Sequence, residues 1–237
     1  MSATPDVLKI PALESQTGLV HGFSTVALGS VGLTHAPDPL PVLASRRAFA
    51  RALGLDSEQM TTIGAVHGSR VARLDEPQDV VQEVDGLVTD RQGVVLFATY
   101  ADCYPIALWD PDKKVVALVH AGWRGTQARI AEGAVRAMVD GYGSDPAGIV
   151  AGIGPGICGR CYEVGADVAA QFDDRFLAPG REDRFLLDLA AANASHLEAA
   201  GVGAVHVMGL CTKETEYLPS HRRTPDGTRF GAIVALR

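Results

Sequence analysis

Residues 99–125 read TYADCYPIALWDPDKKVVALVHAGWRG and contain two short apolar runs, residues 105–109 and 115–119. Each run is rich in Val, Ile, Leu and Ala and is too short for a free-standing helix, which predicts two β-strands. The linker between the runs, DPDKK, has the Asp-Pro chemistry of a tight turn. We therefore predict an antiparallel hairpin at the centre of the fold.

The hairpin would bring two metal-binding side chains together. Cys103 precedes the first run and His120 follows the second, so antiparallel pairing places them near each other. Both are ligands for a borderline-soft metal such as zinc. The residues after His120, AGWRG, open a predicted helix, whose backbone N–H groups and Arg124 would face the same place. The stretch therefore predicts a soft-metal site beside an anion-binding helix start.

Length and composition predict one globular domain over residues 1–237. The chain is long enough for one sizeable core, and its 47% hydrophobic and 21% charged residues are typical of globular proteins. A net charge of -7 argues against nucleic acid or an anionic membrane as a partner. No apolar run approaches the roughly 18–20 residues that span a bilayer.

Cysteine usage and the N-terminal sequence predict a cytoplasmic protein. The first residues, MSATPDVLKIPALES, have neither the basic start nor the apolar core of a signal peptide. Four cysteines in a chain of this length do not indicate a disulfide scaffold, so a reducing compartment fits better.

Strand and helix patterns alternate irregularly along the chain, which favours a mixed α/β (α+β) fold. We predict helices over residues 43–53, 126–142 and 188–200, and strands over residues 61–66, 94–100, 149–153, 205–210 and 230–236. The Gly- and Pro-rich residues 26–41 and the acidic residues 75–85 are predicted to be loops.

His67, Cys103 and His120 together form a possible catalytic zinc set, with three protein ligands and an open fourth position for water. Taken singly, each is a residue type that also occurs as a packed loop residue. Asp85 and Asp102 are candidates to orient the ligands or to move protons, or else they cap turns. A further alternative makes Cys103 a nucleophile with His120 as its base.

Four arginines near predicted loops are candidates for binding phosphate: Arg46, Arg124, Arg222 and Arg223. The alternative is a solvated or ion-paired surface, which we favour for Arg223. The CxxC motif of Cys158 and Cys161 lacks the second CxxC or nearby Cys/His pair of a zinc ribbon. For this motif we favour a turn with two buried or unreactive thiols.

The same residues lie in sequence blocks that resemble a known family over nearly the whole chain. In chain order the blocks are HG at 67–68, DGLVT at 85–89, ADCYP at 101–105, HAGWRG at 120–125, GPGI at 154–157, CYEV at 161–164 and CT at 211–212. They look like the YfiH family, whose older name is the multicopper polyphenol oxidoreductase (laccase-like) family. The pair ADCxP and HAGWRG is highly specific to it.

The resemblance implies a single-domain sandwich of mixed β-sheet flanked by helices, with zinc bound by His67, Cys103 and His120. The implied activity is phosphorolysis of adenosine, inosine, guanosine and methylthioadenosine, together with adenosine deamination. In that reading Arg46, Arg124 or Arg222 holds phosphate against the ribose. Asp102 is a candidate to give the departing purine a proton.

Two alternatives stay open at the level of sequence. The laccase name implies copper and phenol oxidation, but the chain has seven His and no HxH pair. A non-catalytic relative that binds a nucleoside is the second alternative. The chain departs from the family pattern at Ala65, where a Gln is usual, at Ser45, where an Asn is usual, and in LPSHRR at residues 218–223, where FFSYRR is usual.

Overall fold

The hairpin predicted from residues 99–125 lies at the centre of the fold. In the computed structural model, which describes residues 4–34 and 36–237, Tyr104–Asp110 and Val115–Ala121 pair antiparallel, with Pro105 opposite His120. All residues of both strands are buried, so both faces of the hairpin are covered. Burial on both faces explains why each strand reads as a continuous apolar run and does not alternate with polar residues.

The described residues form two six-stranded mixed sheets and one small three-stranded sheet. In pairing order, the first sheet contains Val7–Leu8, Leu19–Ser24, Phe230–Leu236, Val95–Tyr100, Met60–Gly64 and Val80–Gln82. The second sheet contains Ala204–Val207, Val150–Ile153, Tyr104–Asp110, Val115–Ala121, Gly86–Thr89 and Val71–Arg73. The small sheet contains Glu163–Val164, Phe185–Leu187 and Leu177–Pro179.

Helices cover the outer faces of the two large sheets. The α-helices of the described chain are Pro11–Glu14, Pro39–Ala52, Trp123–Gln127, Ile130–Tyr142, Ala166–Ala169 and Leu189–Ala199. Helix Pro39–Ala52 packs on the first sheet, whereas Ile130–Tyr142 and Leu189–Ala199 pack on the second. The predicted mixed α/β sandwich flanked by helices is therefore confirmed. In the residues that the structure describes, no helix has both the length and the apolarity to cross a membrane.

The alternation of side chains along Val115–Ala121 determines where its terminal histidine lies. Val116 and Leu118 belong to the core between the two large sheets, whereas Val119 belongs to the core beneath the helices. His120 therefore lies on the face toward the first sheet, where its ring is 5.3 Å from that of Tyr100. The strand ends there, so His120 lies at the rim of the sandwich and close to the loops.

Two predicted helices differ from the structure. The helix predicted over residues 43–53 begins at Pro39, because the Asp38 side chain accepts the N–H of Leu40 and caps it. The loop predicted over residues 26–41 is shorter for the same reason, and its residue 35 lies outside the described residues. The helix predicted over residues 126–142 is interrupted at Arg129, which has a φ of 57° in the left-handed region and separates Trp123–Gln127 from Ile130–Tyr142.

Candidate active site

The structure brings together His67, Cys103 and His120, the three predicted metal ligands. Their ligating atoms all lie within 4.8 Å of one another, and the two imidazole rings are 5.0 Å apart at 78°. His67 follows strand Met60–Gly64, and Cys103 and His120 lie at the open end of the central hairpin. Residues distant in sequence thus meet where the two large sheets end.

Gly122 leaves the space that this cluster needs. A Cβ atom at this position would lie 3.1 Å from Cys103 Sγ and 3.2 Å from His67 Cδ2. Any side chain would therefore push into the ligands. This close approach gives a physical reason for the first glycine of the HAGWRG block.

The buried carboxylate of Asp85 fixes the orientation of both histidines. It accepts the backbone N–H groups of Val66 at 3.2 Å, His67 at 2.9 Å and Gly68 at 2.7 Å. It also lies 3.0 Å from His120 Nδ1, which donates to it when His120 Nε2 is free for a metal. The predicted role of Asp85 in orienting ligands agrees with this geometry.

The electrostatics of the cluster favour an ionised sulfur. Burial raises the pKa of the Cys103 thiol, but the charge and hydrogen bond of His120, followed by those of His67, lower it below its usual range. Burial lowers the pKa of His120, whereas Cys103 and Asp85 together raise it above its usual range. Cys103 therefore tends toward the thiolate, which is the form that binds a metal.

Most of the site residues predicted from the sequence line one cavity of ≈ 1360 Å³, namely Arg46, His67, Asp102, Cys103, His120, Arg124 and Arg222. Asp85 and Arg223 are not in its described lining. The described lining also contains Arg47 and Arg229, which the sequence analysis missed because no motif marks them. Five arginines face three carboxylates there, in a protein of net charge -7. Such a local excess of positive charge in a cleft attracts anions.

The three predicted phosphate-binding arginines differ in how firmly they are held. Arg46 donates through Nε to the Val31 carbonyl at 2.8 Å and lies over the Phe97 ring, and burial lowers its pKa to about 10. Arg124 lies 4.3 Å over the Trp123 ring, and no described carboxylate forms an ion pair with it. Its guanidinium is therefore available for an anion.

A hydrogen bond from the Arg222 backbone connects Arg222 to the Asp102 side chain. The Asp102 carboxylate accepts the Thr212 hydroxyl at 2.6 Å and the backbone N–H of Arg222 at 2.8 Å. The guanidinium of Arg222 donates to the Glu163 carbonyl at 2.8 Å and lies over the Tyr162 ring. Asp102 itself has a φ of 82°, a conformation that is strained for a non-glycine residue and is frequent at functional sites.

Arg223 is exposed and is not in the described lining of the cavity. Its guanidinium donates to the carbonyl groups of Thr212 at 2.7 Å and of Lys213 and Thr215 at 3.1 Å. Its guanidinium is thus exposed and at the same time bonded to backbone carbonyl groups. It closes the loop that carries Thr212, the partner of Asp102.

The CxxC cysteines lie at a turn, as expected, but other possible ligands surround them. Cys158 and Cys161 lie with Cys211 and Glu214 in a second group whose ligating atoms are all within 4.8 Å of one another. The sequence contains no second CxxC or nearby Cys/His pair, so this arrangement was not predicted. The signal was the CxxE spacing of Cys211 and Glu214.

The fold and the site define a mixed α/β sandwich with a Cys/His cluster that could hold a metal ion and that opens into an arginine-rich cavity. The chain belongs to the multi-copper polyphenol oxidoreductase laccase family, which it matches over residues 17–237. The resemblance noted from the sequence blocks is thereby confirmed.

Named relatives of the chain include enzymes of nucleoside chemistry. It is 41% identical over 227 residues to a purine nucleoside phosphorylase of Deinococcus radiodurans, covering 91% of this chain and 88% of that protein. It is 37% identical over 187 residues to adenosine deaminase RL5 of an unknown prokaryotic organism, covering 72% and 71%. Among solved structures, YfiH of Bacillus licheniformis superposes with a TM-score of 0.90 at 28% identity, covering 99% of this chain and 97% of that one.

Substitution of Asp85 tests whether it orients the metal ligands. We expect Asp85→Asn to weaken binding of Zn²⁺ by about 10–100-fold, because an amide holds His120 and the loop of residues 66–68 less firmly than a carboxylate does. Competition of the purified protein with a chromogenic chelator measures the affinity. The exposed turn variant Asp112→Asn is the control, and equal affinities of the two variants would contradict this role.

Proposed function

We propose that this protein is a zinc-dependent purine nucleoside phosphorylase, with adenosine deamination as a second activity. The observation that carries the proposal is the opening of the His67, Cys103 and His120 cluster into a cavity lined by five arginines. Such a site can hold a cation and an anion side by side. The named activities of the relatives supply the substrate class.

The residues present fit a zinc ion. One thiolate and two imidazoles form a three-ligand set typical of catalytic zinc, and the space at Gly122 and the carboxylate of Asp85 support it. The three ligands line the cavity, so a fourth position is open to it. When bound, zinc supplies a Lewis acid and lowers the pKa of a coordinated water.

The arginines are proposed to hold phosphate against the nucleoside. In phosphorolysis a phosphate oxygen bonds to ribose C1′ while the bond from C1′ to the purine breaks. The electron pair of that bond leaves with the purine, which takes up a proton. Arg46, Arg124 and Arg222 would neutralise the phosphate so that it can approach, and a fixed cationic site is pre-organised for this task.

Asp102 was predicted to give a proton to the leaving purine, but its contacts favour another role. Both carboxylate oxygens accept hydrogen bonds, one from Thr212 and one from the backbone of Arg222. We therefore propose Asp102 as a positioning residue that sets Arg222 at the cavity. The cavity is larger than the roughly 300–1,000 Å³ of common ligand pockets, which suits two substrates bound together.

Adenosine deamination is the second candidate because it needs water, and not phosphate, at the open position. In that reaction water adds to C6 of the purine and ammonia leaves. The relative named adenosine deaminase RL5 supports this reading. We also propose a reducing, cytoplasmic setting, since the four cysteines are free thiols and Cys103 binds a metal as the thiolate.

The test is to incubate the protein with inosine or adenosine, with and without inorganic phosphate. Chromatography then measures the purine base that is released. We expect base and ribose 1-phosphate only when phosphate is present, with at least one zinc per chain by mass spectrometry. Cys103→Ala should hold one zinc fewer per chain than the unmodified protein and lose at least about 100-fold of the rate, because the loss of a ligand disassembles the site.

Other outcomes of this experiment separate the alternatives. Copper at several atoms per chain, with oxidation of phenols, would favour the oxidase that the family name describes. Inosine formed from adenosine without phosphate would make deamination the main reaction. Zinc with nucleoside binding but no turnover of any nucleoside would contradict an enzymatic role and favour a binding protein.

Arg124 offers the most direct test of phosphate binding, because its guanidinium makes no ion pair in the described part of the chain. We expect Arg124→Gln to raise the KM for phosphate by about 10–100-fold, the equivalent of one lost charged hydrogen bond. The KM for inosine should change much less. Steady-state kinetics at varied phosphate measure both values.

The control is Arg136→Gln, because the side chain of Arg136 is 69% exposed on helix Ile130–Tyr142 and does not line the cavity. An unchanged KM for phosphate in Arg124→Gln would remove Arg124 from the proposed anion site.

A further inference from the structure

A second group of potential metal ligands lies beside the cavity wall. The thiols of Cys158, Cys161 and Cys211 and the carboxylate of Glu214 place their ligating atoms within 4.8 Å of one another. None of these four residues belongs to the described lining of the cavity. The group is therefore separate from the cluster of His67, Cys103 and His120.

Two tight turns present the four side chains in matching pairs. In the first turn the N–H of Cys161 donates to the Cys158 carbonyl at 2.9 Å, and in the second the N–H of Thr215 donates to the Cys211 carbonyl at 2.9 Å. A β-bridge between Gly156 and Cys211 brings the turns together. The pairs CxxC and CxxE thus face each other, as paired turns do in structural zinc sites.

The distances within the group suit a tetrahedral ion. Bond lengths of about 2.3 Å to sulfur and 2.0–2.2 Å to oxygen give tetrahedral edges of about 3.8 Å between sulfurs and about 3.5 Å between sulfur and oxygen. Cys158 Sγ lies 3.8 Å from Glu214 Oε2, and Cys161 Sγ lies 3.5 Å from Glu214 Oε1. The two sulfurs approach different oxygens of the carboxylate, so binding through one oxygen requires a rotation of the Glu214 side chain.

Backbone and side-chain contacts hold the second turn and its carboxylate against the first turn. The N–H of Cys158 donates to Cys211 Sγ at 3.3 Å. Arg160 forms an ion pair with Glu214 at 3.0 Å and holds its carboxylate at the thiols.

We propose that Cys158, Cys161, Cys211 and Glu214 form a second metal site, which takes a borderline-soft divalent cation such as zinc. Four protein ligands complete the coordination of such an ion, so the site is structural and leaves no position for substrate.

The site would stabilise the wall of the active cavity. Ile157, which precedes Cys158, donates its N–H to the Asp102 carbonyl at 2.9 Å, and Thr212, which follows Cys211, donates its hydroxyl to the Asp102 carboxylate. Tyr162, next to Cys161, supports Arg222. The ion would therefore join two segments that position Asp102 and Arg222, whatever reaction the cavity performs.

Cobalt substitution of the full-length Cys103→Ala variant tests the proposal, because this variant removes the thiolate of the first cluster. We expect one Co²⁺ per chain with a strong sulfur-to-cobalt charge-transfer band and the visible bands of a tetrahedral ion. Zinc analysis of the same variant should give one zinc held by the second site. The double variant Cys103→Ala, Cys161→Ser should bind Co²⁺ more weakly and show a weaker charge-transfer band at the same Co²⁺ concentration.

A second variant, Glu214→Gln in the Cys103→Ala background, keeps the test valid if the cysteine double variant misfolds. The side chain of Glu214 is 47% exposed, so this substitution should not disturb folding. It should weaken Co²⁺ binding by more than about 10-fold, because even partners outside the coordination shell change affinity by this factor. Glu216→Gln, in the same loop, is the matched control and should bind normally. Absence of the charge-transfer band in Cys103→Ala would overturn the proposal, as would a disulfide between two of the three cysteines in freshly purified protein.

Discussion

The buried carboxylate of Asp85 is the interaction on which the candidate active site depends. Burial alone would raise its pKa, but the imidazole of His120 and the backbone amides of Gly68 and Val66 lower the pKa below its usual range, so the carboxylate stays charged. The Asp85 carbonyl also accepts the N–H of His120 at 2.7 Å. Backbone and side chain of one residue therefore hold His120 and align the loop that carries His67.

Around this anchor, the two large sheets hold the cluster, and both helices and loops supply the arginines of the cavity. The central hairpin is buried on both faces; His120 lies in its second strand, and Cys103 directly precedes its first strand. Asp102 joins the hairpin to the segments of Ile157, Thr212 and Arg222. In our proposal the end of the hairpin holds the cation. Arg46 on helix Pro39–Ala52, Arg124 on helix Trp123–Gln127 and Arg222 on a loop bind the anion.

Much of this arrangement could be predicted from the sequence, because neighbouring residues determine the hairpin. Its two apolar runs and Asp-Pro turn fix the pairing, and pairing alone places Cys103 near His120. His67 joined the set only through residue type and family resemblance, since its position depends on Asp85. Strand Val80–Gln82 was missed within a predicted loop because it is an edge strand with exposed residues and no apolar pattern.

Other features depend on contacts between distant segments, which one sequence does not reveal. Arg47 and Arg229 reach the cavity only because helix Pro39–Ala52 and the chain before Phe230–Leu236 lie beside it. Cys158 and Cys211 are 53 residues apart and meet through a single bridge outside the regular strands. The helix break at Arg129 could not be predicted, because residues 128–129 contain neither Gly nor Pro. Local pattern thus predicts the sheets better than it predicts the loops that complete the site.

Anomalous diffraction from crystals of protein purified without chelators tests the central claim most directly. Data collected on both sides of the zinc absorption edge should show a peak about 2.0–2.3 Å from Cys103 Sγ and from one nitrogen each of His67 and His120. The absence of a peak there, or a peak that persists below the zinc edge and vanishes only below the copper edge, would contradict the account.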